Sequence, residues 1–332
     1  SIIVTYKDRS HLLKQVIDVL LSIGIHKIII VDNNSHENTK KYLAHLKKKN
    51  KSKIKVVELN KNCGSAYAFS MGIKEAIKEK DCEYIWLLDD DNKPEIDAFN
   101  VLKKYWNHLK DPDKKNKIAL ASFRENKHIY FKAVQENQPR LVLGKNNIFR
   151  SFHIFDIPRS FIRKFSKHST IPHGCVYRDH GEVSAYPYGG LFFHKDVVKD
   201  NGLPDEKYYV YMDDLDFTHR LVLRGGRIIL LLNSKIVDIE ESWNLKKFAF
   251  VSIAKENDCS RLYYAIRNRV YFEKSFLVDN FLIYFVNLVV YSSIVFTVSI
   301  INMKLKNIKT YCTAVKHGLN GKMGFNCDYG IE

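Results

Sequence analysis

Two clusters of carboxylates stand out by residue type and spacing. Asp89-Asp90-Asp91 directly follows the apolar run Tyr84-Ile85-Trp86-Leu87-Leu88, and Asp213-Asp214-Leu215-Asp216 directly follows Tyr208-Tyr209-Val210-Tyr211-Met212. Adjacent carboxylates repel, so such clusters call for a cation or a cationic ligand. Asp89 and Asp91 have a D-x-D spacing, and at a strand-to-loop turn alternate carboxylates can face one hard divalent cation. Mg²⁺ and Mn²⁺ take oxygen ligands and keep positions open for substrate phosphates. A cation held there can bridge a diphosphate and stabilise its charge as it leaves. The second cluster opens a helix, where negative charge is stabilising in itself. One of its carboxylates can also take a proton from a substrate hydroxyl, with aromatic neighbours raising its proton affinity. Taken alone, the first cluster is equally an acidic turn before Pro94 and the second a charged cap.

Further polar residues sit at comparable points. Asp32 follows Ile28-Ile29-Ile30-Val31 and can accept a hydrogen bond from a base N–H or close an Asx turn. Arg9, after the first apolar run, can pair with a phosphate or lie on the surface. Asn62 and Gly64 mark a loop, and Gly189-Gly190 allows close backbone approach by an acceptor.

The elements that must position these groups follow from periodicity. Apolar runs at 1–5, 27–31, 54–59 and 84–88 read as strands. A helix from Ser10 carries Leu12, Leu13, Val16, Val19 and Leu20 at helical spacing, and further helices are expected over 40–48, 66–78 and 96–109. The alternation predicts an α/β fold: a mixed, mainly parallel sheet flanked by helices, with right-handed crossovers. Ligands then sit at the carboxyl ends of the strands, where Thr5, Asp32, Asn62 and Asp89 to Asp91 fall. A strand is expected at 118–123. Periodicity fades over 124–183, a basic stretch with Pro158, Pro172 and Gly174, which reads as an insertion or variable loop with a short basic helix at 159–167. Strands at 191–194 and 227–232 and helices from Lys195, over 215–224 and over 261–274 follow. The chain divides into 1–123, 124–183, 184–250 and a helical 251–332.

Residues 281–301 are 21 uncharged residues, long enough to cross a bilayer. Asn287, Ser292, Ser293, Thr297 and Ser299 interrupt them, and Lys304, Lys306 and Lys309 follow. Three readings stand: a core helix pair, a hairpin lying in the membrane interface, and a span. A basic helix beside an apolar one suits an anionic inner leaflet.

Composition sets outer bounds. The 332 residues are 45% hydrophobic and 27% charged, a globular balance. The 53 Lys and Arg against 37 Asp and Glu give net charge +16, which favours an anionic partner: nucleic acid, an anionic membrane or phosphorylated substrates. No nucleic-acid recognition motif appears, and both acidic clusters repel phosphate unless a metal intervenes. Six cysteines without a CxxC pair read as reduced thiols of a cytosolic protein with no zinc site. No basic-then-apolar leader opens the chain; Ser1 lies inside a strand, so an initiator Met or short leader is expected to be missing from this numbering.

Together these stretches resemble the inverting family 2 glycosyltransferases of GT-A fold, in their rhamnosyl- and galactofuranosyltransferase-like branch. The resemblance rests on Ile2-Ile3-Val4-Thr5-Tyr6, Val31-Asp32-Asn33-Asn34-Ser35, Asn62-Cys63-Gly64 and Trp86-Leu87-Leu88-Asp89-Asp90-Asp91. It continues through Gly202-Leu203-Pro204-Asp205-Glu206, Asp213-Asp214-Leu215-Asp216-Phe217, Arg220, Gly225, residues 264–269 and Gly318-Leu319-Asn320-Gly321-Lys322. The order and spacing of these motifs carry it, least of all over 124–183.

The resemblance implies that Thr5, Tyr6, Arg9, Asp32 and Asn62 line the nucleotide pocket, with Asp32 near the base. Asp89, Asp90 and Asp91 hold ribose, diphosphate and metal, Asp91 most directly. Asp214 aligns with the catalytic base, Asp213 and Asp216 orient the acceptor, and Gly189, Gly190 and Trp243 border its site. Relatives often carry a metal-binding His late in the second half; here Asp238 is the nearest candidate. Ser65, Tyr67 and Ala68 replace a glycine-richer loop. The implied activity is metal-dependent transfer, with Mn²⁺ or Mg²⁺, of a sugar from a nucleotide diphosphate sugar to a hydroxyl of a lipid-linked cell-surface glycan such as an O-antigen or capsule. The Asp-Asp-Asp form, rather than the Asp-Gln-Asp of many rhamnosyl relatives, favours UDP-galactofuranose. A rhamnosyl- or other hexosyltransferase is the alternative, and a non-catalytic glycan- or nucleic-acid-binding protein the alternative of another class. The expected location is the cytoplasmic face of the inner membrane, peripheral or monotopic, with homo-oligomerisation left open.

Overall fold

The β-branched and leucine runs form the strands at the centre of a nine-stranded sheet. In the computed structural model, which describes residues 1–156, 177–240 and 256–331, the strands are β1 Ile2–Thr5, β2 Ile28–Asp32, β3 Ile54–Glu58, β4 Tyr84–Asp89, β5 Asn92–Pro94, β6 Ile118–Arg124, β7 His180–Val183, β8 Leu191–His194 and β9 Arg227–Asp238. Their order is β3-β2-β1-β4-β8-β6-β9-β5, with β7 also pairing β9. The parallel arrangement expected from βα alternation holds across β3-β2-β1-β4. Beyond β4 the sheet is mixed: β8 runs antiparallel to β4 and β6, and β9 runs parallel to β6 but antiparallel to β5 and β7.

Strand side chains alternate between faces, and the core divides accordingly. Ile2, Ile29, Ile85 and Leu87 point to one layer; Ile3, Ile28, Ile30, Trp86 and Leu88 point to the other. The helices of this unit are α1 Ser10–Ser22, α2 Glu37–Lys49, α3 Gly64–Lys78, α4 Ala98–His108, α5 Lys114–Lys117, α6 His128–Gln135, α7 Val197–Asn201 and α8 Asp213–Leu223. α1, α2 and α4 bury one apolar stripe each, including Leu13, Ile17, Leu43, Leu102 and Trp106, on the second layer. α3, α6 and α8 cover the first through Phe69, Ile73, Tyr130, Val134, Phe217 and Leu221.

Two expectations need revision. Arg124 to Leu143 is not a variable loop: α6 and a 3₁₀ turn at Pro139–Val142 occupy it, and Tyr130, Ala133 and Val134 pack into the core. The late strand does not end at residue 232. β9 continues to Asp238 because a register shift between Ser122 and Phe123 absorbs the polar Asn233 and Ser234. The basic helix expected at 159–167 and Trp243 lie outside the described residues.

The chain forms two compact units. The sheet unit holds described residues 1–143 and 178–240; the second holds 144–156, 177 and 256–331. The second is helical: α9 Cys259–Phe276, α10 Phe281–Ile301 and α11 Leu305–Leu319. Asp258 caps α9 by accepting from the Ser260 and Arg261 N–H groups, and Asn280 caps α10 by accepting from the Ile283 N–H.

Candidate active site

The carboxyl ends of β1, β4, β6 and β9 deliver charged side chains to one tip of the sheet. Thr5 closes β1 and donates from Oγ1 to Asp90 Oδ2 at 2.7 Å. Arg9, just beyond, donates from Nε to Asp90 at 2.8 Å, from Nη2 to Asp91 at 3.0 Å and from Nη1 to Glu240. Arg9 therefore pairs with the carboxylates of Asp90, Asp91 and Glu240. Asp90 is buried, and its carboxyl is pushed up to about 6 by burial against the pull of Arg9 and Thr5. Asp89 differs from both neighbours: among the described residues no side chain donates to its carboxylate. Burial and the negative charges of Asp91, Asp90 and Asp214 push it up to about 7.

Across the same tip, Asp238 ends β9. It accepts from Arg124 Nη2 at 2.7 Å, Asn92 Nδ2 at 2.9 Å and Asn126 Nδ2 at 2.7 Å. The metal role expected for Asp238 thus meets a carboxylate already engaged through both oxygens by an arginine and two amides. Asn92 also donates to Asp91 Oδ1 at 3.0 Å and accepts from the Asp89 N–H at 3.2 Å. Gly189 makes room for this pair: a Cβ there would lie 1.9 Å from Asn92 Oδ1 and 2.9 Å from Arg124 Nη1. Its open backbone is filled by the protein's own side chains, where an acceptor was expected. Gly190 ties β4 to β6, donating to Leu87 O and accepting from the Ser122 N–H.

The second cluster sits on the first turn of α8. Tyr209, Tyr211 and Met212 all have positive φ, 67°, 65° and 68°, a rare conformation for bulky residues. This turn docks on the start of α3. The Ala66 N–H donates to Tyr209 O, and a Cβ at Gly64 (φ +81°) would sit 2.1 Å from that oxygen. Asp213 is buried and accepts from Ser65 Oγ at 3.0 Å. Asp216 is buried and held by Arg220 Nε at 2.7 Å and Tyr208 OH at 3.3 Å, and Arg220 also donates to Asn201 O and Leu203 O. Asp216 therefore braces the loop after α7. Asp214 is half-buried, and its Oδ1 accepts from the Leu215 N–H at 2.8 Å. Burial raises its proton affinity, opposed by that N–H and by the charges of Arg124 and Lys127. The negative charge of Asp214 is among those that raise the proton affinity of Asp89.

Asp32 is buried and accepts from the Ser35 N–H, three residues on, at 2.7 Å, a cap-like local bond and not the Asx turn. Asn62 Oδ1 caps α3 by accepting from the Gly64 N–H and from Asn33 Nδ2, and Asn33 Oδ1 accepts from the Cys63 N–H. Tyr6 stands beside Arg9, whose guanidinium lies 5.9 Å from its ring. Sequence reasoning missed Arg124, Asn92, Asn126 and Ser65. Arg124 carried a usable signal, since it ends a strand on the same edge as the acidic cluster. A cavity of about 470 Å³ at the other end of the strands, lined by Ser1, His26 and Glu79 among others, lies away from these groups.

The donor set fits a hard dication. Among the described residues no three His, Cys, Asp or Glu side chains form a metal cage. Mg²⁺ and Mn²⁺ do not require one, since one or two carboxylates plus substrate phosphates and water complete their shell. Asp89, which receives no side-chain donor among the described residues, is one such carboxylate; Asp91 beside it, like Asp238, is bonded through both oxygens, to Arg9 and Asn92, and would have to exchange one of these bonds to join it.

The family model for Glycosyl transferase family 2 matches residues 1–179. Among solved structures the fold is similar to that of GalNAc-T7 with UDP, GalNAc and Mn²⁺, at 13% identity and TM-score 0.52 over 82% of this chain and 48% of that one. It is also similar to the mannosyltransferase PcManGT from Pyrobaculum calidifontis in complex with GDP-Man and Mn²⁺, at 13% identity and TM-score 0.51 over 96% and 74%. The chain thus spans about half the length of the first and three quarters of the second. The mixed sheet with flanking helices is consistent with a GT-A fold. No curated protein matches the chain.

Proposed function

The chain belongs to glycosyl transferase family 2 and is a glycosyltransferase; from that premise we propose that it transfers a sugar from a nucleotide diphosphate sugar to an acceptor hydroxyl by single displacement with inversion, Asp214 serving as the base. The observation that carries this reading is that each acidic cluster, one at the end of β4 and one on the first turn of α8, leaves one carboxylate loosely engaged. Among the described residues Asp89 receives no side-chain donor, while half-buried Asp214 accepts only from backbone N–H groups of its own turn.

In this reading Asp214 Oδ2 takes the acceptor proton as the acceptor oxygen attacks the anomeric carbon opposite the diphosphate. The C–O bond to the sugar forms as the bond to the nucleoside diphosphate breaks. Asp89 and Asp91 hold Mn²⁺ or Mg²⁺, which when bound supplies positive charge to the departing diphosphate. Two fold neighbours are complexes of a nucleotide with Mn²⁺, in keeping with that choice. Asp90 and Thr5 fix Arg9 at the mouth of the donor site, and Asp32 and Asn62 border the nucleotide. Asp213, locked by Ser65, sets the angle of the Asp214 turn. No second carboxyl is needed to protonate the leaving group, unlike glycoside hydrolysis. UDP-galactofuranose is the first donor to test. The acceptor is a lipid-linked glycan at the cytoplasmic face of the inner membrane, where the protein is peripheral or monotopic.

A thermal-shift panel of UDP-, dTDP- and GDP-sugars with and without Mn²⁺ tests the donor class, since a ligand of the folded state raises apparent stability. The expected result is a Mn²⁺-dependent rise with one nucleotide series, absent in Asp91→Ala. No rise with any sugar nucleotide, or slow hydrolysis of the donor undiminished in Asp91→Ala, would overturn the reading.

A further inference from the structure

In the helical unit, α10 is built inside out. Its buried face carries Tyr284, Asn287, Tyr291, Ser292 and Ser299, with Val295 the one aliphatic residue among them. Its outward face carries Leu282, Phe285, Val289, Ile300 and Ile301, with Leu282 71% and Ile301 74% exposed. A helix on the surface of a water-soluble domain has the opposite order. Most of the polar face is employed: Asn287 donates to Asn147 O and accepts from the Ile154 N–H, Tyr291 OH accepts from Arg150 Nε, and Ser292 pairs with Tyr311 OH, while the buried Ser299 hydroxyl has no partner among the described residues.

The neighbouring α11 borders the same surface. Phe285, Val289 and Phe296 of α10 and Val315, Lys316 and Leu319 of α11 line an open groove of about 490 Å³. Lys309 lies two helical turns before Lys316, and both are exposed, as is Lys306. One face therefore combines an uncovered apolar stripe with a row of lysines.

We propose that this α10–α11 face docks on an anionic lipid bilayer, with α10 lying in the plane of the interface, acyl chains entering the groove and the lysines meeting acidic headgroups. Three observations select this occupant. The uncovered face is apolar, and the charge beside it is uniformly positive, matching the two terms of interfacial binding to anionic lipid. At about 1.5 Å per residue α10 is roughly 32 Å long, enough to cross. Crossing, however, would carry Arg150, Glu273 and the irregular backbone of 147–154 to the middle of the hydrocarbon, since all of them bond along its inner face or to one another. Charged groups and irregular backbone are costly there. The same contacts exclude a core role, because the apolar residues are the ones left outside. The inference deepens the membrane part of the proposed function and uses none of its catalytic chemistry.

The test uses the full chain with phosphatidylcholine vesicles, with and without about 30% phosphatidylglycerol, in a sedimentation assay. Partition onto anionic vesicles at least about tenfold above neutral ones, weakening as salt rises, is expected. Phe285→Asp with Val289→Asp is expected to lower it at least about tenfold, and Lys309→Glu with Lys316→Glu to erase the anionic preference. The unaltered protein supplies its own reporter. Cys312 is exposed on the groove and Cys327 is exposed elsewhere in the same unit. Anionic vesicles are expected to slow modification of Cys312 by a water-soluble maleimide while leaving Cys327 unchanged. Equal partition onto both vesicle types, undiminished binding by either double variant, or equal Cys312 modification with and without vesicles would overturn the proposal. Donor hydrolysis without vesicles reads the catalytic proposal separately.

Discussion

In the cluster Asp89-Asp90-Asp91 the middle carboxylate is taken by Thr5 and Arg9 and the last by Arg9 and Asn92, whereas Asp89 receives no side-chain donor among the described residues. In the cluster at the start of α8 the outer carboxylates are taken, Asp213 by Ser65 and Asp216 by Arg220 and Tyr208, whereas among the described residues Asp214 receives only backbone N–H groups of its own turn. Each cluster thus holds one loosely engaged carboxylate inside a bonded frame. Adjacent aspartates that look interchangeable in sequence are separated by their partners into chemical and architectural roles.

Substitutions should separate the roles. The largest effect is expected for Asp214→Asn, which should cut transfer at least about a hundredfold with little change in donor KM, measured by nucleoside diphosphate release in the presence of acceptor. Asp216→Ala should do the reverse, lowering stability by about 1 to 2 kcal/mol by removing one of the acceptors of Arg220 and the partner of Tyr208 while kcat stays within a few fold at low temperature. Equal losses of kcat in both variants would erase the distinction. In the first cluster, Asp89→Asn should lower Mn²⁺-dependent activity at least about tenfold, whereas Asp90→Asn should act mainly by loosening Arg9 and so raise donor KM. The smallest effect is in pH. Below about 7 Asp89 keeps its proton, so its raised proton affinity stabilises the metal-free fold at low pH, and that contribution is lost as pH rises through 7. Mn²⁺ needs the ionised form. The melting-temperature gain from Mn²⁺ should therefore be greater near about pH 8 than near about pH 5.5. A gain independent of pH would separate Asp89 from the metal.

Much of the parallel half was legible because three of its four strands are unbroken apolar runs ended by a polar residue, as in Ile28 to Asp32 and Tyr84 to Asp89, and β3 is interrupted only by Lys55. The strand-end rule then located Thr5, Asp32 and Asp89 correctly on one edge. The mixed half was less legible for physical reasons. β9 passes through Asn233 and Ser234, whose tolerance depends on a shift in the partner strand and not on local pattern. α6 spans only eight residues, too few for periodicity to emerge from a basic background. The Asp238–Arg124 pair and the Asn126–Asp238 bond join residues more than a hundred positions apart. Chain order carries no record of such a meeting. The inverted face of α10 was invisible for a related reason: Ser292 and Asn287 read as interruptions until their buried partners were known.

The contact between Gly64 and Tyr209 has a practical consequence for anyone rebuilding this enzyme. The backbone oxygen of one loop occupies the volume a side chain would need in the other, so the two segments are a matched set. A graft that brings in a new 60–66 loop from a different donor specificity must bring its own 208–212 turn. Otherwise the transplanted half will push α8, and Asp214 on its first turn, out of register.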